Sequence, residues 1–333
     1  MIVVLVQLVL PNIYKIEIPL PKNPLKAINS YVIKGDKRNL VIDTGMNRVE
    51  CHEALVSGLT KINVDLENTD FFITHYHIDH SGLVSSLVNP GSKVYASEND
   101  GKVINSATGS DAHQYWVQLQ NYAAKHGFPV ELIEEVNVSH PGHLYKPEHI
   151  LKITSVMEGD IIKIGGYNFR CLITPGHTGG HVCLYEKERK ILVSGDHVLG
   201  NITPNISQFS EGEDALANYL KSLDKVAALE VDLVLPAHQG IFTDCKKRIR
   251  ELKEHHFSRV EEVWNIIKEH QSINAYETAA RMTWDMRGAW EDYPVQQKWF
   301  AHGEAIAHLE YLYGLGRLAL NSGDNGLINW TII

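Results

Sequence analysis

The stretch that decides the fold is Thr74-His75-Tyr76-His77-Ile78-Asp79-His80. Residues 71–74 are predicted to form a buried strand and residues 80–88 a helix, so this motif lies on a strand-to-helix loop. Alternate side chains of the motif point to one side, and the following aspartate and histidine come from the turn. Imidazole nitrogen and carboxylate oxygen suit zinc, iron or manganese, and without a thiolate they do not indicate a closed structural site. The motif therefore predicts a metal centre.

Three later segments each offer one more ligand after a predicted strand. They are Pro-Gly-His177, Ser-Gly-Asp196 and Pro-Ala-His238. A single histidine without context is more often a core or surface residue than a ligand. Here the same placement at a strand's carboxyl end recurs three times in the second half of the chain. The pattern predicts that both halves of the chain surround one pair of metal ions.

The order of predicted elements indicates an α+β fold class. Strands are predicted in residues 13–43 and again in residues 151–194, with helical patterns at 48–61, 103–126, 130–138, 213–229 and 243–270. Two β-rich halves with helices outside them predict a four-layer αββα sandwich. Residues 1–10 are expected to form a buried first strand. Residues 1–250 are expected to form this domain, and residues 251–333 a smaller one.

The C-terminal residues are predicted to be mainly helical. Residues 274–282 and 295–320 show helical spacing, and residues 326–333 alternate like a short β-hairpin arm. This arrangement resembles a winged-helix module. No basic recognition face accompanies it, so packing or dimerisation is the favoured interpretation and contact with nucleic acid the alternative.

Composition narrows the classes of partner. The 333 residues carry a formal net charge of −9, which on average repels a phosphate backbone. The four cysteines have no paired CxxC spacing, which favours reduced thiols over a disulfide framework. A secretory leader and a membrane-spanning stretch are not expected. These observations predict a cytoplasmic protein with a small-molecule substrate and no membrane partner, and the tail is compatible with a homodimer.

The motifs HxHxDH, Pro-Gly-His, Gly-Asp and Pro-Ala-His, in this order, resemble those of the metallo-β-lactamase-fold hydrolase superfamily. The resemblance covers residues 13–242, and residues 41–45, which contain Asp43, fit the family's early strand-turn motif. The tail resembles the winged-helix appendage on one branch of these proteins. His77 stands where the di-iron flavoprotein branch has a glutamate, so the hydrolytic branch fits better.

The resemblance implies a role for each ligand. His75, His77 and His177 are expected to hold the first metal, Asp79, His80 and His238 the second, and Asp196 both. Zinc is the expected metal, with iron or manganese as alternatives. A hydroxide shared by the two metals is the expected nucleophile, and Asp79 is the expected catalytic residue that positions it and accepts its proton.

Other residues are expected to support this centre. Asp43, Thr178 and His181 are candidates for the outer partners that fix the ligands. Candidates for contact with the substrate are His143, His197 and Asn201. Trp116 and Tyr122 are interpreted as packing residues.

Three functions follow as hypotheses. The leading one is hydrolysis of a small ester, thioester or lactone, similar to hydroxyacylglutathione hydrolases at the level of the motifs. The alternative is a single-strand endoribonuclease or phosphodiesterase of the same fold. The third is a regulatory binding module with a structural metal, although a ligand set without thiolates counts against it.

Overall fold

The computed structural model describes residues 4–323 and 326–333 and contains two large β-sheets that pack face to face. The first sheet has seven described strands in chain order: β1 (Val6–Leu10), β2 (Ile13–Pro19), β3 (Ala27–Ile33), β4 (Asn39–Ile42), β5 (Thr69–Phe72), β6 (Val94–Ser97) and β7 (Ile153–Val156). The second sheet has five: β8 (Ile161–Ile164), β9 (Tyr167–Ile173), β10 (Val182–Glu186), β11 (Ile191–Gly195) and β12 (Leu233–Pro236). A small third sheet contains β13 (Ser272–Ile273), β14 (Leu318–Ser322) and β15 (Ile328–Ile332).

Helices cover the outer faces of both sheets. In chain order they are α1 (Val49–Lys61), α2 (Ile78–Ser81), α3 (Val84–Leu87), α4 (Glu98–Thr108), α5 (Ala112–Lys125), α6 (Val130–Ser139), α7 (Pro141–Leu144), α8 (Ala215–Ala227), α9 (Cys245–His270), α10 (Ala275–Arg281) and α11 (Val295–Gly314). None of the helices in the described part of the chain has the length and apolarity that crossing a bilayer requires.

Apolar clusters of buried side chains lie between the layers in the described part of the chain. Side chains such as Tyr31, Phe72 and Phe169 are buried between the two sheets. The outer face of the first sheet packs on α1, and the outer face of the second packs on α8, α9 and the C-terminal helices. Burial of such aromatic and aliphatic side chains is the main favourable contribution to folding. The αββα sandwich with a helical C-terminal region is therefore confirmed.

Parallel pairing directs strand ends to one edge. Strands β4, β5, β6 and β7 run parallel to one another, and β11 runs parallel to β12. Since parallel strands end at the same edge of a sheet, the loops after them converge. Backbone hydrogen bonds across the sheets hold this edge, from Val182 N to Thr74 O at 2.8 Å and from Asn29 N to Ala237 O at 2.7 Å.

Several predicted elements differ from the structure. The first strand is not buried: it lies at the edge of its sheet, with Leu8 60% exposed, and residues 1–3 are outside the described part. Residues 295–320 do not form one helix, because α11 ends at Gly314 and Gly316 follows with a φ of +69°. The predicted helices at 80–88 and 103–126 are each divided in two.

The end of the chain pairs in a different way from the prediction. The hairpin expected within residues 326–333 forms instead between β14 and β15, and α10 and α11 pack beside it. The winged-helix interpretation of this region remains a prediction. So does the division at residue 250, which lies inside the continuous helix α9.

Candidate metal centre

The seven predicted ligands follow the ends of four strands, five of them on loops and two, Asp79 and His80, in the short helix α2. His75, His77, Asp79 and His80 follow β5, His177 follows β9, Asp196 follows β11, and His238 follows β12. The turn before His177 requires a glycine, because a Cβ on Gly176 would lie 2.4 Å from the Cα of Tyr219 in α8. The segments that follow these strands therefore bring the seven side chains to one place.

The ligand atoms form adjoining groups. His75, His77 and His177 make one group, Asp79, His80 and His238 a second, and Asp196 groups with His75 and His80, with all ligand atoms within 4.8 Å of one another in each group. The two oxygens of Asp196 face different ways. Its Oδ2 lies 3.6 Å from His177 Nε2, and its Oδ1 lies 3.6 Å from His238 Nε2. The carboxylate therefore stands between the first and second groups.

The buried polar atoms of this centre fit metal ions. Among the described residues, His80 Nε2, His177 Nε2, His238 Nε2 and Asp196 Oδ1 are buried without a hydrogen-bond partner. Burying such atoms without partners costs free energy, so native proteins almost always satisfy them. A divalent cation between imidazole nitrogens and carboxylate oxygens would be the partner that these buried atoms lack. The donor set therefore fits divalent metal ions, and it does not identify the metal.

In three of the histidines, Nδ1 contacts a residue outside the set of candidate ligands. These contacts are His80 Nδ1 to Asp43 Oδ2 at 2.8 Å, His177 Nδ1 to Asn205 O at 2.8 Å, and His238 Nδ1 to Ala27 O at 2.9 Å. A ring that donates from Nδ1 presents the lone pair of Nε2 to the centre. The outer contacts therefore fix both the tautomer and the orientation of each ring.

Asp43, one of the residues predicted to support the centre, lies beside His80 and Thr74. It is buried, with a φ of +59°, a left-handed conformation that aspartate tolerates better than most residues. Besides His80, it accepts hydrogen bonds from Thr74 N at 2.9 Å and from Thr74 Oγ1 at 2.8 Å. One carboxylate thus holds both the start of the motif and its last ligand.

The other two residues predicted to support the centre, His181 and Thr178, make contacts of different kinds. His181 Nε2 accepts a hydrogen bond from Asp196 N at 3.2 Å. Thr178 donates to Asp100 Oδ2 at 2.6 Å, and the same oxygen accepts from Tyr76 N at 3.0 Å. Asp100 thereby joins the loop of the HxHxDH motif to the turn that carries His177.

The sequence does not reveal this role of Asp100. The only local signal is the start of α4, where Ser97 accepts a hydrogen bond from Asp100 N. Burial raises the pKa of Asp100 to about 6, although its hydrogen bonds to Thr178 and to backbone amides oppose this.

Burial and neighbouring charges set the protonation of the ligands. Burial, together with the neighbouring His177, lowers the pKa of His77 to about 3. Burial alone would raise the pKa of Asp79, but His80 and His238 outweigh this effect and lower it to about 2. A neutral imidazole and an ionised carboxylate are the forms that bind a cation.

The three residues predicted to contact the substrate differ in their exposure to solvent. His143 is half-buried on α7 and stacks on Trp116 at 4.1 Å between ring centroids. His197 is fully buried against Tyr219, whereas Asn201 is exposed. Their contact with a substrate remains a prediction. Trp116 and Tyr122 are buried, in agreement with their interpretation as packing residues.

An αββα sandwich whose strand ends carry histidine and aspartate ligands defines a class of metal-dependent hydrolase folds. The chain belongs to the metallo-beta-lactamase superfamily, whose sequence profile matches residues 24–238. A second profile, that of the metallo-beta-lactamase-like C-terminal domain, matches residues 293–332.

Relatives extend this result to both parts of the chain. A lactamase-like protein (aptB) of Emericella nidulans is 24% identical over 74% of this chain and 62% of its own length. An atrochrysone carboxyl ACP thioesterase of Claviceps purpurea is 23% identical over 74% of this chain and 62% of its own length. The chain thus spans less than two thirds of either protein. A solved metallo-beta-lactamase family protein from Thermus thermophilus matches 98% of this chain and 100% of its own, with 25% identity and a TM-score of 0.80.

Proposed function

We propose that this chain is a binuclear metal-dependent hydrolase of a small-molecule thioester, ester or lactone. The observation that carries the proposal is the position of Asp196, whose two oxygens face two separate groups of ligands. A carboxylate in this position can hold two cations side by side. Such a pair, when bound, lowers the pKa of a coordinated water to about 7 and polarises the substrate's carbonyl oxygen.

Asp79 has a distinct role in this proposal. Its side chain is 13% exposed, and its Oδ2 lies 3.4 Å from His238 Nε2. Burial raises its pKa, but His80 and His238 outweigh burial and lower the pKa, so the carboxylate is ionised at neutral pH. We assign it the task of orienting the attacking water toward the acyl carbon and accepting its proton.

The class of substrate rests on separate support. The relative from Claviceps purpurea is named as a thioesterase, and the net charge of −9 favours a small substrate over a polynucleotide.

The test is a hydrolysis screen with protein of known metal content. Zinc- or manganese-loaded chain is incubated with acyl-glutathione thioesters, aryl esters, lactones, a β-lactam and single-stranded RNA. We expect turnover of at least one thioester, ester or lactone, and Asp196→Ala should lower kcat/KM by about 10³-fold or more because the carboxylate between the two groups is lost.

A matched control is Asp36→Ala, which removes one exposed aspartate far along the chain from the ligands and should leave turnover unchanged. Loaded protein that cleaves no acyl substrate, or an Asp196→Ala variant that retains full turnover, would overturn the proposal. Cleavage of RNA with a steep salt dependence would favour the nuclease alternative.

A further inference from the structure

The outer partner of His177 is a backbone carbonyl in an irregular segment. His177 Nδ1 contacts Asn205 O at 2.8 Å, and residues 201–209 contain neither helix nor strand. The carbonyls of a helix or strand are fixed by the neighbouring ladder of hydrogen bonds, whereas an irregular segment needs other contacts to fix its position. The orientation of the His177 ring therefore depends on what holds Asn205.

Residues of the C-terminal region fix the position of Asn205. Asn205 Nδ2 donates a hydrogen bond of 2.8 Å to Oε2 of Glu304, a buried residue of α11. The other carboxylate oxygen, Oε1, lies 3.6 Å from Nε of Arg259 on α9. Arg259 is itself fixed, because its Nη1 donates to Thr283 O at 2.5 Å. A continuous set of contacts thus leads from α9 and α11 to the ligand.

A second set of contacts fixes the same segment on α11. Gln208 N donates to Gly303 O at 3.0 Å. A Cβ on Gly303 would lie 2.6 Å from Cε2 of Phe209 and 2.8 Å from Oγ of Ser207, so the segment approaches the helix as closely as a glycine allows. Residues 205–209 therefore have a defined position relative to Glu304.

We propose that Asn205 and Glu304 are positioning residues for the metal ligand His177, so that the C-terminal region tunes the affinity of the group His75, His77 and His177. The inference rests on the proposed metal centre and is independent of the substrate. Loss of an outer partner of a ligating histidine typically weakens metal binding about 10- to 100-fold. The group Asp79, His80 and His238 has its own outer partners, Asp43 and Ala27, and should be unaffected.

The experiment measures both metal affinities in the full chain. Zinc is titrated in competition with a chromophoric chelator, and cobalt(II) absorption reports the ligand geometry. His177→Ala identifies which of the two dissociation constants belongs to the first group. We expect Asn205→Ala and Glu304→Ala each to weaken that constant by about 10- to 100-fold, to change the cobalt spectrum, and to leave the other constant within about threefold. The double variant should bind zinc at the first group no less tightly than the single variant with the lower affinity, since both changes break the same contact.

Glu277→Ala is the matched control, because it removes a helix cap in the same C-terminal region without touching residues 205–209. It should lower stability and leave both constants unchanged. Asn205 is only half-buried, so Asn205→Ala decides the question even where Glu304→Ala does not fold. Unchanged constants in folded Asn205→Ala, or an equal loss in Glu277→Ala, would overturn the inference. Neither outcome depends on whether a substrate is cleaved.

Discussion

At the scale of single residues, Asp43 contacts two side chains of the candidate metal centre. Its Oδ2 accepts hydrogen bonds from both His80 Nδ1 and Thr74 Oγ1, at 2.8 Å each. A full negative charge at this place strengthens the donor ability of His80 toward a cation. Burial lowers the pKa of His80, but the charges of Asp43, Asp196 and Asp79 outweigh it and raise the pKa.

We expect Asp43→Asn to weaken the metal site of His80 by about 10- to 100-fold, because the charged acceptor is lost while the left-handed backbone remains acceptable to asparagine. Zinc competition titration gives the two constants. Asp70→Asn is the control, since Asp70 is a hydrogen-bonded aspartate in β5 whose partners, Arg38 and Lys93, are remote in the chain from the ligands. Equal zinc affinities in wild type and Asp43→Asn would contradict this role.

The sequence predicts the candidate ligands more fully than the residues that contact them. His75, His77, Asp79 and His80 are adjacent in the chain, so their residue types alone indicate a metal centre. Asp100 and Glu304 act through contacts with residues 78 and 99 positions away in the chain. No local pattern encodes such a pairing, because a buried carboxylate has the same sequence signature whichever donor it meets.

At the scale of elements, strand ends were predictable where an apolar run stops at a turn. Residues 71–74 and 231–235 show this pattern, and both lead to ligands at the end of a strand. The exposure of the first strand was not predictable, because an apolar run has the same composition at the edge of a sheet as in its middle. The end of α11 was missed because helical spacing continues past Gly314, while the turn at Gly316 depends on backbone conformation.

The contact between α11 and the start of α8 predicts a pH dependence of stability. Burial, together with Asp214 and Glu211, raises the pKa of Glu310 from its ordinary value of 4.5 to about 7. A carboxyl group with a raised pKa in the folded state stabilises the fold when protonated, below about pH 4.5, and this stability is lost as the pH rises through about 7.

We therefore expect Glu310→Gln to be more stable than wild type at pH 8, by on the order of 1 kcal/mol after allowance for solvent screening. The difference should vanish near pH 4. Urea unfolding at a series of pH values measures it. Glu254→Gln, at an exposed position of α9, controls for the loss of one negative charge. A difference between Glu310→Gln and wild type that is independent of pH would show that Glu310 does not titrate in this range.

At the scale of the whole molecule, the candidate metal centre lies where the two halves of the sandwich meet. Four ligands come from the first sheet, after β5, and three come from the second, after β9, β11 and β12. The C-terminal region adds a third connection through Glu304 and Asn205. A cation held by side chains from both sheets would resist their separation, so we expect metal binding and folding to be coupled.

Removal of metal should therefore lower the stability of the entire chain rather than loosen one loop. Zinc in 100-fold excess over its dissociation constant stabilises the folded state by about 2.7 kcal/mol for each site that exists only in that state. We expect a chelator to lower Tm by several degrees and to shift the whole unfolding transition, as measured by calorimetry. In Asp196→Ala the difference between zinc-loaded and chelator-treated protein should be much smaller, because the ligand between the two groups is absent. A Tm of wild type that is the same with zinc and with chelator would mean that the two halves hold together without any help from the ligands, and the coupling between the centre and the fold would have to be abandoned.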